Sequence, residues 1–293
     1  MRLGVVLMPV DPVRESMQRM RDLEAMGFHH AWVYDHMSWQ RYRGGPWHAT
    51  TPWLAAMAAV TSEIGLGTMV SNPNIRHPAT LTKDAMTIDQ LSEGRLTIGL
   101  GAGGTGFDAT VLGQELLTPR QRVDRLAEFV TAFDRLSRDD GGSFSGDWFE
   151  VDALELLPGS YRRPRTRLAV AAGGRRTIGI AADTADAWIT YGIPSGGGAD
   201  PDGSYALVRE QVAQLETAAA AADRDPASID RILMVSNTHD RPLESLDRFV
   251  DFIGRYGEIG ITDVVFHDPR PDDPYLNDDP EVVTQIADHL LAS

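Results

Sequence analysis

Leu168–Trp188, LAVAAGGRRTIGIAADTADAW, decides how the rest of the chain reads. Leu168–Ala172 is a short apolar run of the kind that forms a buried strand. Gly173 and Gly174 follow as a turn that needs backbone freedom. Arg175, Arg176 and Thr177 then open an alanine-rich helix, and Ala187–Tyr191 has the composition of the next strand. A helix start presents backbone N–H groups with no internal partner, which beside two arginines suits an anion. A phosphate carried by a cofactor is the anion these residues favour. A plain strand-to-helix turn uses the same residue types, because glycine is common in turns.

The strand–helix unit recurs in both directions. Leu3–Leu7 is a strand, and Val13, Met17, Met20, Leu23 and Met26 recur at helical spacing until Gly27. Strands at His30–Tyr34, Ile64–Val70 and Leu96–Leu100 alternate with helices at Thr51–Thr61, Pro78–Leu91 and Pro119–Ser137. Beyond the opening stretch come helices at Ser204–Ala222, around Leu246–Ile253 and at Pro280–Leu291, with strands at Ile232–Val235 and Asp263–Phe266. Eight strands alternating with eight helices predict a (β/α)8 TIM barrel, one domain over residues 1–293. Three excursions interrupt the alternation: Asp35–Thr50, Asp139–Pro158 and Pro194–Gly203. The first and third follow strands and belong to the C-terminal mouth, as lids or as plain surface loops. The second reads as an extra turn or hairpin.

Composition narrows the class. The chain is 42% hydrophobic, ordinary for a protein with a sizeable core. It has no cysteine, which removes disulfides, thiolate metal sites and thiol nucleophiles. A formal net charge of −15 argues against nucleic acid and anionic membranes as partners. The opening MRLGVVLMPVD reads as a first strand rather than a signal peptide, and no run has the length of a membrane span, so a cytoplasmic protein is expected. A homodimer is the expected assembly.

In a barrel, functional groups come from the C-terminal ends of strands. Those ends are Met8-Pro9, Asp35-His36, Val70–Asn72, Gly101–Gly104, Ala172–Gly174, Tyr191, Asn237 and His267-Asp268. Gly99–Gly104, GLGAGG, matches a dinucleotide fingerprint, but no helix starts at once and Asp124 lies inside the next helix. In a barrel the glycines instead let a flat ring or a ribityl chain lie against Gly101, Ala102, Gly103 and Gly104; a structural turn is the alternative. His36 is placed to donate a hydrogen bond or move a proton near neutral pH, unless Asp35 and His36 form only a structural pair at the rim. His29 and His30 precede their strand and receive no role, His77 starts a helix, and His267-Asp268 at the rim after the eighth strand reads as a turn, with ligand contact as the alternative. No H-x-H or carboxylate cluster marks a metal site. The run Arg162, Arg163, Arg165 and Arg167 falls at the barrel bottom as a solvated face or oligomer contact, whereas Arg41, Arg43, Arg175 and Arg176 are better placed for anions.

YDH after the second strand, IGLGTMVSNPNIRHPATLTKDAMTIDQLSEGRLTIGLGAGG and AAGGRRTIGIAADTADAWIT resemble the bacterial luciferase-like superfamily. More narrowly they resemble its short actinobacterial oxidoreductases that use coenzyme F-420, a deazaflavin, or FMN. The resemblance implies a cofactor across the barrel mouth and a non-proline cis peptide at Met69–Val70 behind its ring, with Ser71 next in the same segment. It implies the cofactor phosphate on Gly173, Gly174 and Arg175, with Ala172 and Arg176 alongside, and it places Asp35 and His36 facing the ring and the reacting carbon. The sugar-phosphate dehydrogenases of the group carry a glutamate where this chain has Gly104, which puts their substrate and proton donor in doubt here. The long two-component monooxygenases carry insertions absent here. Hydride transfer between F-420 and a small organic substrate is the leading expectation. An FMN-dependent monooxygenase and a non-catalytic flavin-binding barrel are the alternatives.

Overall fold

The structure, a computed structural model, describes residues 1–193, 200–235 and 240–292. Strands β1 (Arg2–Leu7), β2 (His30–Val33), β3 (Gly65–Thr68) and β4 (Leu96–Leu100) alternate with helices α1 (Val13–Ala25), α2 (Thr50–Ala58), α3 (Pro78–Leu91) and α4 (Pro119–Arg138). A hairpin of β5 (Gly141–Ser145) and β6 (Glu150–Glu155) follows, accounting for the excursion at Asp139–Pro158. Then come β7 (Arg167–Ala171), α5 (Arg175–Thr184), β8 (Ala187–Thr190), α6 (Pro201–Ala221), β9 (Asp230–Met234), α7 (Leu246–Glu258), β10 (Asp263–His267) and α8 (Pro280–Leu290). All strands but the hairpin pair in parallel and close in the order β1-β10-β9-β8-β7-β4-β3-β2. This is the (β/α)8 barrel that the alternation predicts.

The two-residue period of the strands divides the core into two layers. Leu3, Val5 and Leu7 of β1 face the helices, where they join Leu23, Leu54, Phe129 and Phe249. Val6 points inward with Trp32, Ala169, Ile189, Met234 and Val265. Trp32 is the largest group of the inner layer, and the neighbouring strand makes room for it. A Cβ at Gly67 would stand 2.3 Å from the indole.

The lower end of the barrel is polar and paired. Trp32 Nε1 donates to His30 Nδ1 at 2.7 Å, which leaves His30 Nε2–H to donate to Asp263 Oδ1 at 2.9 Å. Arg2 and the Thr262 hydroxyl complete the shell of the Asp263 carboxylate. Burial alone would raise the pKa of Asp263, but hydrogen bonds from His30, Arg2 and Thr262 outweigh it and hold the group well below the usual carboxylate range.

The arginine run ahead of β7 requires a correction. Arg165 is not a solvated face: it is 4% exposed and binds Asp134, Asp186 and the Thr184 carbonyl. Arg167 pairs with Asp230 and Arg163 with Asp140, and of the four only Arg162 has no ion pair among the described residues. An arginine this deep is stable because each end of its fork finds an acceptor.

Asp263→Asn removes the buried charge that His30 and Arg2 surround. The expected loss is about 2–4 kcal/mol of unfolding free energy, reduced from the full buried-pair value because Arg2 is partly solvated. Urea denaturation at neutral pH measures it. A loss within error of zero would show that the carboxylate contributes no net stability.

Candidate active site

The ends of the strands converge on a cavity of about 470 Å3 at the C-terminal mouth. One wall is Gly101–Gly104 after β4, with Ala171–Gly173 after β7 beside it. Met69 and Val70, after β3, line it too. The opposite side carries Tyr34, His36, Trp39, His267, Tyr275 and Leu276. A second cavity, of about 480 Å3, lies at the other end of the barrel around Arg2, His29 and His30. It shares no strand-end loop with the first.

The Met69–Val70 peptide is cis, as the resemblance implies. Val70 then packs on β4: a Cβ at Gly101 would lie 2.5 Å from Val70 Cγ2. Gly103 has a φ of +74°, and a Cβ there would meet Asn74 Nδ2 at 2.7 Å. These two glycines are therefore required by the protein's own side chains, whatever else lies against their backbone. Gly104 has open space beside it, with nothing nearer than 3.9 Å.

Asp35 and His36 have separate surroundings. Asp35 is 1% exposed, receives two hydrogen bonds from Arg76 at 2.7 and 2.8 Å, and accepts from Ser71 Oγ at 2.6 Å. Both carboxylate oxygens are engaged with protein partners, and Asp35 and Ser71 are buried beside the cavity. They fix the loops after β2 and β3 to one another.

His36 does line the cavity, and its partner was not legible in the sequence. Nδ1 lies 2.5 Å from Asp108 Oδ2, and the other oxygen of Asp108 accepts the Met37 N–H at 3.1 Å. Asp108 sits in a single 3-10 turn, Phe107–Ala109, and is buried. A carboxylate accepts from Nδ1–H, which leaves Nε2 as the atom available to a ligand. The His36 ring stacks on Trp39 with an interplanar angle of 14°. The only sequence signal for Asp108 was an acid a few residues beyond the fourth-strand glycines.

Of the two readings open for His267, turn residue or ligand contact, the structure favours the second by placing the residue in the cavity wall. Its Nε2 and the Tyr34 hydroxyl are 2.7 Å apart and share a hydrogen bond. Burial, then the nearby Arg41 charge, pull its pKa down to about 4, with Asp273 opposing. Burial pushes the Tyr191 hydroxyl up to about 12 and raises Tyr34 well above its ordinary value, so both stay neutral. Asp268, next to His267, pairs with Arg19.

At Gly173–Arg176 the first internal bond of α5 runs from the Ile178 N–H to the Gly174 carbonyl. The amides of Arg175, Arg176 and Thr177 come before it and have no helix carbonyl to bind. Gly173, Gly174, Arg175 and Arg176 are exposed. Arg176 pairs with Asp124 at 2.6 Å, and Arg175 makes no ion pair among the described residues. Gln211 holds the turn in place, donating to the Gly173 carbonyl at 3.0 Å while accepting from Thr190. Arg41 and Arg43 are not free anion ligands. Arg41 is bound to Asp273 at 2.6 Å, and Arg43 lies over the Phe107 ring. Asn237 and residues 194–199 of the third excursion lie outside the described residues.

Comparison with known proteins agrees with this architecture. A family model described as luciferase-like monooxygenase matches residues 1–272. The chain belongs to that family. It is 30% identical over 228 residues to an F-420-dependent glucose-6-phosphate dehydrogenase of Amycolatopsis mediterranei, covering 75% of this chain and 64% of the relative. It is 29% identical over 292 residues to the enzyme of the same name from Beutenbergia cavernae, covering 85% of each. Among solved structures, an F-420-dependent secondary alcohol dehydrogenase in complex with an F-420–acetone adduct superposes with a TM-score of 0.79 at 17% identity, covering 97% of both chains. A monooxygenase from Streptomyces bottropensis gives 0.76 at 20% identity, covering 99% of both.

The depressed pKa of His267 fixes the sign of an acid effect. Its folded value lies below the ordinary 6.5, so the stability it contributes is whole above about pH 6.5 and is lost as pH falls through about 4. Titration of its imidazole by NMR should give a midpoint near 4, and His267→Gln should flatten the acid side of the Tm–pH curve. A midpoint near 6.5 would mean that the ring is solvated.

Proposed function

We propose that this barrel is an oxidoreductase that moves a hydride between coenzyme F-420 and a small organic substrate held beside His36. The observation that carries the reading is the His36–Asp108 pair, which aims a proton-handling nitrogen across a cavity whose far wall is glycine loop. The fit to a deazaflavin rests on three features of the site. The cavity volume is within the usual range for small-molecule sites, one side of it is nearly free of side chains, and α5 begins beside it with free amides. Met69, Val70, Gly101, Ala102, Gly103 and Gly104 would hold the ring system. Ala172, Gly173, Gly174, Arg175 and Arg176 would hold the phosphate. Bound there, the cofactor supplies or takes up the hydride.

The protein's own part is positioning and proton transfer. With Nδ1–H given to Asp108, neutral His36 offers a lone pair at Nε2 and accepts the proton of a substrate hydroxyl. Protonated, the same Nε2 donates to a carbonyl oxygen in the opposite direction. Asp108 fixes the tautomer and compensates the imidazolium charge. Tyr34, Trp39 and Tyr275 keep the reacting side apolar.

The curated relatives named as F-420-dependent support the deazaflavin. An FMN-dependent monooxygenase is the second reading, favoured by the description of the matching family. Binding of F-420 and of FMN to the apoprotein, measured separately, decides between them: F-420 is expected to bind more tightly, and the reverse result selects the monooxygenase. The enzyme is further proposed to be a cytoplasmic homodimer without a nucleic-acid or membrane partner, in keeping with the net charge of −15. No helix among the described residues is long and apolar enough to cross a membrane. Solution mass from light scattering tests the dimer.

Gly173→Asp is a clean probe of the phosphate position, because a Cβ there meets nothing nearer than Gln211 Nε2 at 3.6 Å. It should weaken cofactor binding by about 2–4 kcal/mol through like charge and a lost hydrogen bond. Unchanged affinity would place the phosphate elsewhere.

His36→Ala should lower turnover by about 10²–10⁴-fold while leaving cofactor affinity nearly intact. His36→Asn, which cannot titrate, should retain some activity with a flattened pH profile. Asp108→Asn should fall between wild type and His36→Ala. Wild-type turnover in His36→Ala at saturating cofactor would reduce His36 to a structural role.

A further inference from the structure

We infer that the reactant held beside His36 is an uncharged alcohol or carbonyl compound, and that a phosphorylated sugar is rejected by the way the mouth is built. The inference rests on the hydride-transfer reading for its chemistry, but on the cavity wall alone for its substrate class.

Around His36 the wall carries Tyr34, Trp39, Tyr275, Leu276 and Met69, and the polar side chains of Gln40 and Asn72, which also line the cavity, bear no charge. Trp39 packs against Tyr34 with centroids 4.9 Å apart, so the indole is part of a fixed surface. The imidazole of His267 carries no charge at neutral pH.

Arg41 is the one cation among the described residues that line this cavity, and it is already occupied. Its guanidinium gives Asp273 two hydrogen bonds, at 2.6 and 3.3 Å, and lies over the rings of Tyr42 and Tyr275 at 4.8 and 4.6 Å. Tyr42 adds a hydrogen bond to Asp273 at 2.5 Å. Burial would raise the Asp273 carboxyl, but Tyr42, the Tyr275 N–H and Arg41 outweigh it and bring it to about 2, so the pair stays ionised at any working pH. The segments outside the described residues, 194–199 (PSGGGA) and 236–239 (SNTH), contain no lysine or arginine. Lys83 is the single lysine of the chain, and it sits on α3 with its ammonium on the Leu157 carbonyl. A dianionic phosphate on this side would shed water against aromatic rings with no counter-charge, a cost that uncharged reactants avoid.

The step balances with the groups already named. An alcohol would give its hydroxyl proton to His36 Nε2 and its carbinol hydride to an oxidised deazaflavin held at the glycine loops, leaving as a carbonyl compound. The reverse returns both.

The test uses the full-length protein with F-420 and a neutral panel of propan-2-ol, cyclohexanol and 1-phenylethanol, with glucose 6-phosphate as the anionic probe. Turnover is followed by the cofactor's absorbance, and binding by quenching of tryptophan fluorescence with Trp39→Leu as control. The expected result is kcat/KM for at least one neutral alcohol on the order of 100-fold or more above that for glucose 6-phosphate. Quenching by a neutral alcohol or its ketone, lost in Trp39→Leu, without any change in the cofactor, would uphold the substrate class and sink the hydride reading. Glucose 6-phosphate bound or turned over as well as the neutral panel would overturn the inference, and so would a panel of which no member binds.

Asp273→Asn keeps the oxygen that the Tyr275 and Leu276 N–H groups use but releases Arg41 from its counter-charge. It should improve binding of cyclohexanecarboxylate relative to cyclohexanol about tenfold. Unchanged discrimination would show that the Arg41–Asp273 pair does not set it.

Discussion

A closed eight-stranded barrel has an interior that only side chains can fill, and here a bulky residue repeatedly lies over a glycine of the next strand. Trp32 of β2 occupies the space that a side chain at Gly67 of β3 would need. One level higher, Val70 occupies the space that a side chain at Gly101 would need. Because the second contact lies where β3 and β4 end, it also sets the depth of the cavity. The floor of the site is thus continuous with the core packing. A change meant to alter ligand binding at Val70 or Gly101 would be felt first as a packing fault.

Above that floor two aspartates divide the work. Asp35 is spent on Arg76 and Ser71 and holds the loops after β2 and β3 together from behind. Asp108 holds the loop after β4 to the loop after β2 from the front, through Met37 and His36. A histidine flanked by two carboxylates in sequence and space could have paired with either. The burial of Asp35 against an arginine leaves only Asp108 for the imidazole, and this directs Nε2 toward the opening.

The fold was largely legible in the sequence, because strand and helix periods are local properties. Pro78–Leu91 and Leu96–Leu100 stand where hydrophobic spacing and the Pro and Gly signals put them. Much of the site was legible too, since strand ends can be counted. The partners of each polar group were not. Arg165 looked like a surface charge because Asp134 and Asp186 reach it only through the packing of α4 and of the turn after α5. Asp108 lay in a loop without periodicity. His267 looked like a turn residue because the ring that contacts it, Tyr34, comes from the other end of the chain. The glycines of the fourth-strand loop were recognised, but the reason for two of them was internal, and no spacing rule distinguishes a gap left for a neighbour from a gap left for a ligand.

The bond between Arg41 and Asp273 spans 232 positions of sequence, joining the loop after β2 to the loop after β10 across the end of β1. The two loops at the rim therefore carry each other's tension: a substitution that loosens either one is felt in the other, though the two lie near opposite ends of the sequence.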